Sequence, residues 1–441
     1  MTAPPSTNTS GSIARLLRRA AAIESTEIGA VLWSFAYFFC VLCSYYILRP
    51  LRDEVGVMVG PDGLQWLFLL VFLVMLAVVP VFGWIVSRFA RRRIVPIVYG
   101  FFVLNLAVFW LLLSQPQQGN TAAAAFFVWL SVFNLIVVSL FWSAMSDLWH
   151  SEQAKRLYGF IAAGGSAGAL AGPLLTQSLV HALGPANLLL VSAVLLLAAI
   201  ACAVALRRQL AGSENRVPEE PPSGGLLAGA AHVLRSPYLR KVALWVLIAN
   251  LIGTFFYLEQ ARIVGAAITE RADRVQLFAR MDLAVNTLAV LTQLLVTGRL
   301  IRHAGVGAST AALPATAAAG LLAVALAPVL VVIVVVMVIE RTITFAITNP
   351  AMRVLYTVVS PEDKYKAQNF IDTVVFRGGD AASGWLLNGL AKGLGAPASL
   401  VATLALPFTA IWLGLSLALG REQSRRAETA NERTPDVSRA Q

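Results

Sequence analysis

The sequence predicts an all-α polytopic membrane protein of twelve transmembrane helices in two six-helix bundles, and three observations carry that expectation. The first is composition. Of 441 residues, 58% are hydrophobic and 13% charged, where soluble domains carry about 25% charged residues; mean hydropathy is +0.73. The second is segment length, because apolar runs of the roughly 20 residues that a bilayer crossing needs recur along the whole chain. The third is the placement of cations. With both termini assigned to the cytoplasm, 25 of the 34 lysines and arginines fall on the cytoplasmic side and seven on the other, which is the positive-inside bias of a correct even count.

Taken in order, residues 1–27 are polar and carry Arg15, Arg18 and Arg19 well ahead of the first apolar run. No small-residue cleavage site follows a short apolar core, so an uncleaved cytoplasmic segment is expected. The first bundle, 28–206, takes its spans from Ile28–Leu48, Leu64–Ser87, Ile94–Leu113, Ala122–Met145, Tyr158–Leu179 and Asn187–Leu206. A cytoplasmic linker, 207–238, contains Pro218, Pro221, Pro222 and Gly224–Gly225, with a possible surface amphipathic helix at Leu226–Leu234. The second bundle, 239–419, takes Val242–Gln260, Leu277–Gly298, Ser309–Ala325, Val329–Asn349, Phe370–Leu390 and Ser399–Leu419. The tail, 420–441, is polar and expected to be disordered.

The composition also excludes. The net charge of +11 is spread between spans rather than gathered in one soluble domain, which suits the anionic cytoplasmic leaflet and not nucleic acid. Cys40, Cys43 and Cys202 all lie in apolar runs, so no disulfide framework is implied. His150, His181, His232 and His303 are isolated, and no nucleophile–base or metal-ligand spacing appears. Neither an enzyme nor a cofactor is expected. The glycines of Ser151–Pro173 follow no strand and precede no Gly-Lys-Ser/Thr, so they form no phosphate loop. They make a small-residue face for close helix packing instead.

The charges inside or beside the spans are the candidate functional residues, since each costs about 2.5–3.5 kcal/mol at a membrane centre. Ser44–Gly56 sets Arg49, Arg52, Asp53 and Glu54 among Ile47, Leu48, Val55 and Val57. Pro50 removes a backbone donor and disfavours αR at Arg49, so a kink or break is expected at Ile47–Arg49. Because the residues after Glu54 are apolar again, the helix is expected to resume with its charges inward. The alternative is a span ending at Leu48 and a solvated loop. In the second half, Glu259 and Arg262 lie one turn apart. Glu340 and Arg341 are adjacent, hence about 100° apart and aimed at different partners. Arg377 and Asp380 are three apart, as a structural ion pair or as part of a ligand site.

This inventory suits recognition of a multiply charged anion, with arginine forks on phosphate or carboxylate and acids that keep the empty cavity near neutral. The expected partners are a small anionic solute and the lipid bilayer, around a monomer.

Two stretches carry a broader resemblance. Gly83–Arg93 and Gly298–Gly305, after the second and eighth spans, each set an arginine four or five residues past a glycine. They resemble the inter-span signature of the major facilitator superfamily, which implies two bundles rocking about a central cavity. More specifically, Y-I-L-R-P-L-R-D-E (Tyr46–Glu54), S-L-F-W (Ser139–Trp142), E-Q-A-K-R-L-Y (Glu152–Tyr158) and K-Y-K-A-Q-N-F-I-D (Lys364–Asp372) resemble, in order, motifs of the ATP/ADP antiporters of plastids and intracellular bacteria. The resemblance implies nucleotide exchange across a bacterial inner membrane, with Arg49, Arg52 and Lys366 handling phosphates; the charges within the spans add Arg341 and Arg377 as expected substrate ligands. Asp53, Glu54, Asn134, Glu259, Glu340, Asp372 and Asp380 would serve gating or coupling. Pro50, Arg52 in place of lysine, Gln368 at a second lysine position and Asn134 in place of an acid depart from that pattern. A proton-coupled carrier of another solute is the competing expectation.

Overall fold

A computed structural model describes residues 24, 27–88, 91–115, 120–210, 228–393, 395 and 397–433, and the regular elements in them are all helices. In chain order these are α1 (Ile28–Arg88), α2 (Arg91–Leu113), α3 (Asn120–Leu148), α4 (Ser151–Leu183), α5 (Leu188–Gln209) and a short α6 (Ala228–Arg235). They continue with α7 (Pro237–Ala267), α8 (Arg271–Thr292), α9 (Gly298–Leu326), α10 (Leu330–Ile343), α11 (Asn349–Leu355), α12 (Pro361–Phe370), α13 (Phe376–Gly393) and α14 (Ala398–Arg433). Apart from Glu24 and Glu27, the expected N-terminal segment lies outside the described residues, as do 211–227 of the linker and 434–441 of the tail.

Among the described residues, nine helices are long and apolar enough to cross a membrane. Two of them are of double length, Ile28–Ile85 with 58 residues and Arg271–Leu326 with 56. Straight, each would extend about 85 Å at the helical rise, against a hydrocarbon core of roughly 30 Å. Each is interrupted at one glycine, Gly60 (φ 71°) and Gly305 (φ 82°). With two crossings in each, and with α13 too polar to qualify by composition, the helices accommodate the twelve expected crossings.

The interruption at Gly60 corrects the expectation of a kink or break at Ile47–Arg49. The backbone of α1 is helical through Pro50, and its non-helical residue is Gly60. Pro50 deletes one i→i−4 hydrogen bond, a loss that transmembrane helices tolerate. Pro61 pushes Gly60 out of αR, and only glycine takes the positive φ there without a Cβ clash.

Unlike those of a soluble protein, the exposed helix faces are apolar as well as the buried ones. On α2, Ile97, Phe101, Leu104, Val108 and Leu111 are exposed at alternating spacings of four and three, while Val95, Tyr99, Phe102 and Leu106 are buried behind them. One stripe packs inward and the other is an apolar face suited to lipid.

The chain divides into two compact units. One is drawn from Met1–Arg49, Ile85–Gln118 and Phe133–Glu220, the other from Pro50–Trp84, Gly119–Val132 and Pro221–Gln441. The dividing line passes through α1 at Pro50. In the first unit, α4 lies against the first half of α1 along its glycines. A β-carbon at Gly164 or Gly168 would collide with the carbonyl oxygens of Phe35 and Phe39, and one at Gly172 would stand 2.7 Å from the Tyr46 β-carbon. The small-residue face is therefore a packing surface, as expected. Tyr37 donates to Tyr99 Oη at 3.0 Å, and Tyr99 donates on to the Val137 carbonyl at 2.9 Å, tying α1, α2 and α3.

In the second unit, π segments join helices at Gln293–Thr297, Thr344–Thr348 and Ile371–Val375. A π turn frees carbonyls from the α ladder, and these are taken up by side chains. Gln293 donates to Phe345 O, Thr297 to Ala346 O, and Asn250 of α7 to Phe376 O. The surface helix expected at Leu226–Leu234 forms as α6, where Gly229 sits against the Lys366 backbone of α12. The tail differs from the disordered segment expected from Gly420, because α14 continues to Arg433. Glu422 accepts from Lys241 of α7 and from Arg426 one turn on, and the intervening residues are largely good helix formers.

Candidate functional site

Three consecutive charges in α1, Arg52, Asp53 and Glu54, organise the second unit. Successive helical residues are about 100° apart, so the three cannot share a partner, and they fan out to three other helices. Arg52 lies over the Phe127 ring of α3, 4.1 Å from guanidinium carbon to centroid. Asp53, 5% exposed, accepts a 3.0 Å hydrogen bond from Tyr257 Oη of α7. Glu54, with no exposed surface, accepts at 2.9 Å from Arg271 Nε of α8 and lies 3.5 Å from Arg274. Gly56 makes room for this arrangement, since a β-carbon there would lie 3.1 Å from Tyr257 Oη. A helix carrying buried charges on several sides is thus stable because each is met by a group on a different neighbour. The solvated-loop alternative for this stretch is excluded by the burial of Asp53 and Glu54.

The Arg52 guanidinium is only partly satisfied: its Nε is buried without a hydrogen-bond acceptor. On α13, Arg377 stands 3.6 Å from Asp380 and 5.3 Å from the Phe376 ring. The charges of both Arg377 and Arg52 act on Asp380. Arg52, Arg377 and Asp380 therefore form one electrostatic group, fed by α1 and α13. Arg377 and Asp380 make the i,i+3 pair that their spacing allowed.

Other expected site residues lie elsewhere, and these are corrections. Glu259 is paired within α7. It is held by Arg262 of its own helix at 2.6 Å, because at i,i+3 the flexible arginine reaches it before any residue of α1. Glu340 and Arg341 have separate partners, as their adjacency requires: Thr344 donates to Glu340, and Arg341 donates to Asp282 of α8. The groups that meet Asp53 and Glu54 are instead Tyr257, Arg271 and Arg274. Asp372 pairs with the exposed Arg353 at 3.0 Å. Lys366 lies on α12 eleven residues before Arg377, about 16 Å along a helix, where its backbone supports α6. Arg49 lies 5.8 Å from the Tyr46 ring in the first unit, and Asn134 is half-buried on α3 in the same unit.

Sequence reasoning missed Arg271, Arg274, Tyr257 and Asp282. Asp282 had a usable signal, an acid in the apolar run after Leu277, since a lone buried carboxylate demands a cation. Its Oδ1 bonds Arg341, while Arg341 Nε and Asp282 Oδ2 are buried without hydrogen-bond partners. Among the described residues no group of three or more His, Cys, Asp or Glu could hold a metal ion.

The family model described as Major Facilitator Superfamily matches residues 30–384. Among solved structures, an auto-inhibited POT family peptide transporter is 15% identical, over 90% of this chain and 97% of its own, with a TM-score of 0.59. A point mutant of the nucleoside transporter NupG is 14% identical, over 91% and 100%, with a TM-score of 0.57. A bacterial homologue of the iron transporter ferroportin, in an inward-facing state, is 13% identical, over 89% and 100%, at 0.62. At such identities these three likenesses concern the fold alone. No curated protein matches the chain.

Proposed function

We infer that this chain, which belongs to the Major Facilitator Superfamily and is a transporter rather than an enzyme, exchanges nucleotides of the ATP/ADP type, or a related phosphorylated anion, by alternating access. The observation that carries the reading is the incomplete satisfaction of Arg52, whose charge, like that of Arg377, is felt at Asp380. A buried guanidinium donor without an acceptor costs more than the 1–3 kcal/mol of a neutral group. A phosphate supplies the missing oxygen and engages an arginine fork bidentately. Asp380 then acts as the internal substitute for substrate, holding Arg377 while the site is empty. Because the empty carrier keeps a partly unpaired arginine, it resists crossing unloaded, which favours exchange over uniport.

Asp53 with Tyr257, and Glu54 with Arg271 and Arg274, serve this cycle as a latch. They fasten the second half of α1 to α7 and α8 and must release for the other access state. The same reading places twelve helices in two bundles, 28–206 and 239–419, in a bacterial inner membrane with cytoplasmic termini.

The test is uptake of radiolabelled ATP, ADP and other phosphorylated solutes into proteoliposomes, with and without nucleotide inside. Exchange requires uptake that depends on internal nucleotide and falls at least tenfold in Arg52→Gln. Absence of nucleotide uptake with every internal nucleotide overturns the reading.

A second reading has its own observation. Asp282 is fully buried and its Oδ1 accepts from Arg341, a buried carboxylate within a spanning helix of the kind that marks proton or ion pathways in membrane proteins. It favours a proton-coupled carrier of another solute. Uptake driven by a pH gradient, independent of internal substrate and abolished in Asp282→Asn, would establish that alternative.

A further inference from the structure

A basic cavity is built on α7 and α14. It measures about 870 Å³ and is lined by Lys241 of α7, Val358 and one face of α14: Ala418, Arg421, Glu422, Arg425, Arg426 and Thr429. The α14 residues fall at spacings of three, one, three, one and three, so they form a single helical stripe. Four cations and one acid share the cavity. Glu422 is already committed to two of the cations, accepting from Lys241 at 2.7 Å and from Arg426 at 2.9 Å. Arg426 also lies over the buried Tyr238 ring, 4.6 Å from the centroid, which fixes one wall. The guanidinium groups of Arg421 and Arg425 make no hydrogen bond or ion pair among the described residues.

Two arginines one turn apart on one face repel each other, and here the only acid in the cavity is saturated. An anion relieves that repulsion and supplies acceptors to ten guanidinium N–H donors. The volume is within the 300–1,000 Å³ of small-molecule sites, far beyond what a bare ion needs. The cavity also lies where α14 changes from apolar, through Leu419, to charged, from Arg421, the level at which a membrane presents its headgroups.

We propose that this cavity binds a phosphate-bearing anion, with Arg421 and Arg425 as its direct ligands and Lys241 and Arg426 as its positive wall. The chemistry is common to a phospholipid headgroup and to a soluble phosphate. The position at the end of the apolar stretch favours the headgroup of an anionic lipid.

The experiment uses the full chain in detergent, with lipid retention read by native mass spectrometry and stability by thermal melting. Phosphatidylglycerol, phosphatidylcholine and inorganic phosphate are the probes, on wild type, Arg421→Gln/Arg425→Gln, and Arg299→Gln/Arg302→Gln. The last removes the same charge from exposed positions elsewhere. Retained phosphatidylglycerol should fall about tenfold in the first variant, the worth of one charge-assisted hydrogen bond, and stay at the wild-type level in the second. Phosphatidylcholine should not distinguish the three proteins. Displacement of the lipid by inorganic phosphate, together with a rise in melting temperature from phosphate alone that the first variant lacks, assigns the site to a soluble phosphate ester. Equal retention of phosphatidylglycerol in wild type and Arg421→Gln/Arg425→Gln, with phosphate without effect on either, overturns the proposal. Arg421→Lys/Arg425→Lys guards against a folding artefact, since it keeps both charges and should keep most of the binding.

Discussion

The two halves of α1 are held by opposite means. Before Pro50 the helix packs on the glycines of α4, backbone against backbone, with no room for a β-carbon at Gly164, Gly168 or Gly172. After Pro50 it is held by a hydrogen bond from Tyr257 and by the pairing of Glu54 with Arg271 and Arg274. Glycine packing depends on shape, is indifferent to salt and is lost steeply when the surfaces separate. Charge pairing tolerates a change of distance and a change of partner. The unbroken stretch of α1 before Gly60 thus has a fixed part and an exchangeable part, a combination suited to a membrane carrier with two access states.

Removing charge should produce the largest effect. Glu54→Ala leaves Arg271 and Arg274 without their buried carboxylate, and loss of one partner of a buried pair costs about 3–5 kcal/mol. The melting temperature in detergent should fall accordingly, and the Glu54→Arg/Arg271→Glu exchange should recover part of it. No recovery would mean that the two residues are not coupled. Gly168→Leu tests the other half: forcing α1 from α4 should cost about 1–3 kcal/mol by overpacking. That loss should be the same at low and high salt, whereas a salt-dependent loss would erase the distinction between the halves. Tyr257→Phe removes one neutral donor to a carboxylate and should cost about 1.5–3 kcal/mol, less where water replaces the hydroxyl.

The smallest effect lies at the very start of α1. Burial alone would raise the Glu27 carboxyl, but hydrogen bonds from Gln153, Arg156 and the Glu24 amide, with the Arg156 charge, outweigh it and hold the group below its ordinary 4.5. A carboxylate lowered in the folded state contributes stability above its unfolded value, and that contribution is lost as pH falls through the folded one. The melting difference between wild type and Glu27→Gln should be present at neutral pH and vanish on acidification. A difference that persists in acid would show that neutral hydrogen bonds, not charge, anchor the helix there.

Much of this architecture was legible because it rests on local physics. Apolar run length and cation placement expose the class and the family-level arrangement. The glycines of α4 announced a packing face. The angle between adjacent helical residues separated Glu340 from Arg341 in advance. The partners were not legible. Arg271 and Arg274 stand in a polar stretch that reads as a solvated connection, and nothing local reveals that Glu54 lies against them. Glu259 misled for the converse reason, since its own i,i+3 arginine, visible in the sequence, satisfies it. The position of the break also escaped: Pro50 and Pro61 are equally conspicuous, but only Pro61 follows a residue free to leave the helical region at positive φ.

The single-residue corner at Gly60 has a practical consequence. Between the first two crossings the chain offers no length of irregular backbone, so a protease has no extended segment to bind and cut there, and an inserted epitope would have to be accommodated within helix. Mapping which side of the membrane each corner faces is better done with single cysteines at Asp62 or Lys392, which pair at 2.8 Å and are each more than half exposed. Labelling either one by an impermeant reagent reports on that end of the molecule without lengthening the turn.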